Sequence, residues 1–268
     1  MASANLVADD DLIYETRGAV GLIRINRPAQ LGAFTWPMLD RWAQAIASAR
    51  DDEVIRAVVL TGTGRAFCTG VDLEAMAAVE PTALAHKRVL TDRVHKVVRA
   101  VADLDKPLIC AVNGLAVGAG MDMALMCDIR LAAESARFCE GYINLGLVPG
   151  DGGAYFLPRI VGVARALELL WTGDTISAHE AHDLGIVSDV CSDDNLLDAA
   201  LGLADRIAAR SPIAVSMIKR AVYQSQTIDL RTSLDLISSH MGIVQSTFDS
   251  AEARQAFRER RDAVFIGE

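Results

Sequence analysis

Asn113-Gly-Leu-Ala-Val-Gly-Ala-Gly-Met-Asp-Met-Ala-Leu-Met-Cys-Asp128 decides the fold. Just before it, Lys106-Pro107 ends one element and Leu108 to Val112 forms a short apolar run, which reads as a buried strand. Asn113-Gly114 turns the chain. Gly118 and Gly120 let a backbone N–H come close to a ligand, and the apolar residues beyond them anchor a helix start in the core. The pattern is strand, glycine turn, helix. It is not a dinucleotide fingerprint, because Met123 stands where the third glycine belongs, and it is not a P-loop, because no Gly-Lys-Ser/Thr follows.

The same pattern occurs once upstream. Ile55 to Leu60 is a β-branched run ending in Thr61-Gly62-Thr63-Gly64, and Gly62 to Met76 then carries Gly70 ahead of a second helix start. Further upstream, Val20 to Asn26 reads as the first strand, with Val20 and Leu22 alternating against Arg24 until Arg27-Pro28 breaks it. Thr35 caps a helix with Pro37 in its first turn and Leu39, Trp42, Ile46 and Ala49 on one face. A long helix is predicted over Thr82 to Asp103, with Leu90, Val94, Val97, Val98 and Val101 inward. Downstream come short strands at Ile129 to Ala132 and Arg137 to Cys139, and then a glycine-rich stretch from Gly146 to Gly153. Helical segments follow at Val163 to Trp171, Ser177 to Leu184, Asn195 to Ala209 and Pro212 to Tyr223, with two more to the end. The fold class is α/β, with a core over residues 1–200 and a helical region over 201–268.

Composition narrows the function. Of the 268 residues 51% are hydrophobic and 23% charged, the profile of a chain that folds around a sizeable core. A net charge of −9 argues against nucleic-acid binding, which needs a basic face. Met1 to Asp11 has neither the basic start nor the apolar run of a secretory signal, and no stretch is long and apolar enough to span a membrane, so a cytoplasmic protein is expected. The five cysteines lack a Cys-x-x-Cys pair and read as reduced core residues. His179-Glu-Ala-His182 does not have the spacing of a zinc helix, no Gly-x-Ser-x-Gly elbow is present, and His86, His95 and His240 stand alone, so no metal site is expected.

Together, in this order and spacing, the two glycine turns resemble the signature segments of the crotonase superfamily, the enoyl-CoA hydratase/isomerase family. Asn26-Arg27-Pro28 with Leu31-Gly32-Ala33, Leu145 to Gly150, Leu170 to Gly173, and Ala178 to Val187 extend the likeness over about residues 12 to 265. The resemblance implies a spiral of ββα units with a helical C-terminal trimerisation region, a homotrimer or homohexamer, and a role in fatty-acid metabolism. It implies an acyl-CoA substrate, coenzyme A arriving as part of that substrate, and no permanently bound cofactor. Matched position by position, the oxyanion-hole amides are those of Val71 and Ala119. CoA would thread past Arg27, Leu31 and Ala33 on one loop and Arg65, Cys68, Gly70, Asp72 and Leu73 on the other, with Gly118 beside the thioester. Arg27 and Arg65 are the expected phosphate partners, with Lys219 or the basic stretch Arg254 to Arg261 in support.

The acids depart from the family pattern. A hydratase of this family places two glutamates across the double bond, and here those positions hold Asp122 and Tyr142. Asp122 keeps a carboxylate on a shorter arm and is the expected principal acid–base residue. Tyr142 is expected to shape the pocket or donate a hydrogen bond. Glu140 and Asp151 are the candidate helpers. Isomerisation gains from this substitution, because one carboxylate can move a proton along the chain. Two other readings stay open. Gly146 to Gly152 resembles the segment of crotonase-fold hydrolases that cleave C–C bonds in β-diketones, whose histidine is here Tyr142. A non-catalytic acyl-CoA-binding protein is the other.

Overall fold

The structure is a computed structural model that describes residues 11–268. The reading of Met1 to Asp11 therefore lies almost wholly outside the described residues. The strands are β1 (Leu12–Arg17), β2 (Val20–Ile25), β3 (Ala57–Gly62), β4 (Ala66–Cys68), β5 (Leu108–Val112), β6 (Leu115–Val117), β7 (Ile129–Ala133), β8 (Arg137–Cys139), β9 (Thr175–Ser177) and β10 (Asp189–Cys191). The helices before residue 130 are α1 (Trp36–Asp51), α2 (Leu73–Ala77), α3 (Ala83–Val89), α4 (His95–Ala102) and α5 (Ala119–Leu125). Later come α6 (Gly153–Val161), α7 (Val163–Thr172), α8 (Ala178–Asp183), α9 (Leu196–Ala208), α10 (Pro212–Ser225), α11 (Leu230–Gln245) and α12 (Phe248–Glu259).

Two sheets organise the chain, a six-stranded one in the order β1-β2-β3-β5-β7-β10 and a four-stranded one in the order β4-β6-β8-β9. Three times in succession a strand of the large sheet (β3, β5, β7) is followed by a strand of the small one (β4, β6, β8) and then by helix. This is the spiral of ββα units. Within both sheets the repeated strands pair in parallel, which is why β3 and β5 are apolar runs buried on both faces.

The first strand differs from expectation. β1 precedes β2 and pairs with it antiparallel, from Leu12 opposite Ile25 to Arg17 opposite Val20. β2 does not alternate between core and solvent: all its residues except Arg24 are buried, because α1 covers one side and α9 reaches the other. The long helix over Thr82 to Asp103 is present as α3 and α4, joined without a break by a π turn over Leu90–Val94. Thr35 stands at the N-cap of α1 without a side-chain capping bond.

The boundary drawn near residue 200 falls inside α9. That helix buries Leu196, Ala200, Ala204 and Ala208 against β2, β3, β5 and β7, so it belongs with the sheet core. The chain leaves the core at α10. Across α10, α11 and α12 only Ala221, Asp249 and Ala256 are buried, and α11 buries no residue at all. The last residues are stitched back: Asp249 accepts from the amides of Ile266 at 2.8 Å and Gly267 at 3.2 Å, and Arg56 donates to the Phe265 carbonyl at 2.9 Å. Among the described residues no helix is long and apolar enough to cross a membrane.

Candidate active site

The two glycine turns meet. Gly70 leaves β4 at φ +93° and Gly118 leaves β6 at φ +52°, conformations that a side chain would strain. β4 and β6 are adjacent strands, and a Cβ at Gly70 would stand 3.5 Å from the Ala119 nitrogen. Phe34 N donates to the Gly70 carbonyl at 2.8 Å and Asp72 N donates to the Phe34 carbonyl at 2.9 Å. Phe34 thus bridges Val71 in parallel fashion, and that pairing points the Val71 N–H to the opposite side. Ala119 is the first residue of α5, so its N–H has no partner within the helix. Among the described residues neither N–H donates to another backbone carbonyl, and the two come from neighbouring turns.

The loop contacts expected for CoA take definite places. Arg27 donates to the Ala33 carbonyl at 2.6 Å and to Asp72 Oδ2 at 2.9 Å, tying the early loop to the second one. This bond holds the Asp72 carboxyl below the usual carboxylate range, and Asp72 also caps α2. Arg27 thus clamps the two loops together. Leu31 adopts a left-handed conformation and its carbonyl accepts from Thr69. Cys68 is fully buried, and burial pushes its thiol up to about 12. Arg65 and Leu73 are exposed. Lys219 is also engaged, with Asp128 at 2.7 Å and the Lys106 carbonyl at 2.9 Å. Arg261 pairs with Glu252 and Glu259.

The four polar candidates come together. Asp122 lies in the first turn of α5, Glu140 follows β8, and Asp151 leads into α6; all three are buried, at 0%, 1% and 2% exposure. Tyr142 donates its hydroxyl to Asp122 Oδ2 at 2.7 Å and lies 3.2 Å from Asp151 Oδ2. Its ring faces Gly118, where a Cβ would stand 3.7 Å from it, so the phenol spans from the amide turn to the acids. The Asp151 amide donates to Asp122 Oδ2 at 3.3 Å.

Charge in this cluster is arranged by burial. Asp122 Oδ1 lies against Gly153 and Glu140, and both Glu140 oxygens are buried without a well-formed hydrogen bond. A proton held on Glu140 and donated to Asp122 supplies the missing bond, and burial followed by repulsion from Asp122 moves the Glu140 carboxyl up to about 10. Asp151 rises to about 7, again by burial and then by the Asp122 charge. Burial raises Asp122 too, against the pull of the Tyr142 hydroxyl. Tyr142 is pushed above its ordinary range by burial and by the facing carboxylates, so it stays a donor. Gly153 closes the cluster, since a Cβ there would collide with Asp122 Oδ1. Among the described residues no group of acids, histidines and cysteines could hold a metal ion.

Known proteins decide what this arrangement belongs to. The model of the enoyl-CoA hydratase/isomerase family matches residues 15–268. The chain belongs to that family. It is 38% identical over 258 residues to the 1,2-epoxyphenylacetyl-CoA isomerase of Escherichia coli K12, covering 96% of this chain and 98% of that protein. It is 35% identical over 253 residues to the short-chain-enoyl-CoA hydratase of Clostridium acetobutylicum, covering 94% and 96%. A crystal structure of an enoyl-CoA hydratase from Bacillus anthracis superposes with a TM-score of 0.92 at 34% identity, over 96% of this chain and 100% of that one. The crotonase fold and an enzyme of hydratase/isomerase type are established by these matches. Within this enoyl-CoA hydratase/isomerase, the sequence reading overlooked His95, whose ring nitrogen Nε2 lies 2.9 Å from the Gly150 carbonyl beside Asp151. A lone histidine in a helix gives no signal of such a contact.

Proposed function

We propose that this enzyme isomerises the double bond of an enoyl-CoA, moving a proton between two carbons of the acyl chain rather than adding water. The observation that carries this reading is the Tyr142 hydroxyl, 2.7 Å from one carboxylate and 3.2 Å from the other. Hydration needs a water pinned between two acid–base groups. Here a phenol hydroxyl fills the space between the carboxylates, and a phenol whose pKa is raised does not take up a proton from water.

The amides of Val71 and Ala119 would receive the thioester oxygen. As a base removes a proton from the acyl chain, negative charge grows on that oxygen, and preorganised N–H donors stabilise it most where it is largest. Asp151 would carry the proton from one carbon to the other. The principal role expected of Asp122 passes to it for a physical reason. Asp122 Oδ2 already accepts from Tyr142 and from the Asp151 amide, so that oxygen is engaged within the cluster. Asp151 has one hydroxyl neighbour and a carboxyl near 7, close to the ideal for proton shuttling at neutral pH. Asp122, Glu140 and Tyr142 set its charge and place. Arg65, which is exposed, is the proposed phosphate contact for CoA. Leu31, Ala33, Leu73 and Gly118 are the proposed walls of the CoA groove, with Cys68 buried beneath them.

Kinetics of two variants test the assignment. Asp151→Asn is expected to lower isomerase kcat by about 10²–10⁴-fold, and Asp122→Asn by about tenfold through loss of the neighbouring charge. The reverse ranking would return the role to Asp122. Five free cysteines, four of them buried, accord with the cytoplasm as the working compartment.

A homotrimer, or a hexamer built from trimers, is proposed for the assembly. Leu230, Leu234, Ile237 and Met241 form an exposed stripe along α11, at 74%, 57%, 39% and 52% exposure, which water alone is a poor partner for. Light scattering at micromolar concentration should give three or six times the chain mass, and a monomer would contradict it.

A further inference from the structure

The loop that delivers Asp151 is Gly150-Asp151-Gly152-Gly153, with three glycines in four residues. Such a backbone has wide conformational freedom, and a proton carrier must be held in one place. The peptide group between Gly150 and Asp151 is gripped at both ends. Its N–H donates to Asp122 Oδ2 at 3.3 Å, and its carbonyl oxygen lies 2.9 Å from His95 Nε2. A carbonyl only accepts, so that ring nitrogen carries the hydrogen.

The π turn explains how His95 reaches the loop. Its backbone N–H donates to the Leu90 carbonyl, a bond five residues long, which stacks the two side chains on one face of the helix. On a regular α-helix, residues five apart point about 140° away from each other at about 100° per residue. Leu90 packs on the same glycine: a Cβ at Gly150 would stand 3.2 Å from its side chain. Both ends of the π turn thus close on Gly150, and turns of this kind concentrate at functional sites.

We propose that His95 is a positioning residue for catalysis: with Asp122 it clamps the Gly150–Asp151 peptide, and the π turn at Leu90–Val94 aims it there. The inference rests on the reading of Asp151 as the proton carrier. Without the His95 bond the glycine loop samples other orientations, Asp151 leaves the acyl chain, and binding of the CoA portion is untouched.

The experiment compares His95→Phe, His95→Gln, Asp151→Asn and the double variant His95→Phe/Asp151→Asn, with kcat and KM measured on a 3-enoyl-CoA. His95→Phe should lose about 10–10²-fold in kcat, the scale of a small misplacement of a reacting group, with KM within about twofold. His95→Gln restores an amide donor at similar reach and should recover most of the loss. The double variant should be no slower than Asp151→Asn alone, because His95 acts only through that side chain. Wild-type kcat in His95→Phe, no rescue by Gln, or losses that multiply in the double variant would each overturn the proposal. If Phe prevents folding, His95→Asn makes the same test with a donor too short to reach Gly150: kcat should fall relative to Gln, and equal rates would overturn it. Wild-type turnover in Asp151→Asn would instead remove the assignment of Asp151.

Discussion

The site has two sides built by different means. On one, Val71 and Ala119 offer backbone N–H groups whose places are set by strand pairing and by two glycines at positive φ. On the other, Asp122, Glu140, Tyr142 and Asp151 form a cluster of side chains in which each member sets the charge of the next. A backbone donor survives the change of its own side chain, as with alanine at position 119. A side-chain cluster changes its chemistry when one member changes. On the proposed reading, the amide side fixes what the fold can stabilise, and the carboxyl side selects which reaction follows.

The comparison breaks most sharply if the amide side can be removed without touching the fold. Ala119 is the first residue of α5, the one helical position where proline fits because the N–H is unpaired there. Ala119→Pro should keep the melting temperature and lose about 10²–10³-fold in kcat, the usual cost of one oxyanion donor. Retained turnover would show that the Ala119 amide does not face the substrate.

A smaller effect is expected on the carboxyl side from Tyr142→Phe, which keeps the ring and deletes the bridging hydroxyl. The two carboxylates then repel without a shared donor, so the Asp151 carboxyl moves further up. In the wild type, activity should rise with pH through about 7 as Asp151 loses its proton; in the variant that limb should shift to higher pH. At pH 7 we expect a loss of about tenfold. An unmoved limb would detach Tyr142 from the acids.

Stability gives the smallest signal. The folded-state carboxyl of Asp151 lies above its unfolded value, so its contribution is fully present below the unfolded value and is lost as pH rises through about 7. Asp151→Asn removes that loss. At pH 8 its melting temperature should exceed the wild type by several degrees, and the gain should vanish by pH 4. Scanning calorimetry at the two pH values reads it.

What was legible in the sequence follows the same division. The glycine turns announce themselves, because a strand run, a glycine at a turn and a helix start are all local patterns, whereas Glu140, Tyr142 and Asp151 are picked out only by the resemblance to the family. The ion pairs of Arg27 and Lys219 are not legible in sequence because their partners are distant, Asp72 being 45 residues away from the first and Asp128 being 91 from the second. β9 and β10 are three residues each, too short to show a period. β1 was visible in principle, since Leu12 and Tyr14 alternate with Ile13 and Glu15. His95 was not, because a π turn inserts one residue into a helix without any composition of its own.

The measurement that bears most directly on the division is product analysis in D₂O, following a trans-3-enoyl-CoA by NMR and mass spectrometry. The expected result is the conjugated 2-enoyl-CoA whose newly protonated carbon keeps mostly the substrate's own hydrogen, with no 3-hydroxyacyl-CoA formed during many turnovers. Accumulation of 3-hydroxyacyl-CoA at the rate of isomerisation or faster would contradict it, because water would then be entering between the carboxylates where the Tyr142 hydroxyl stands.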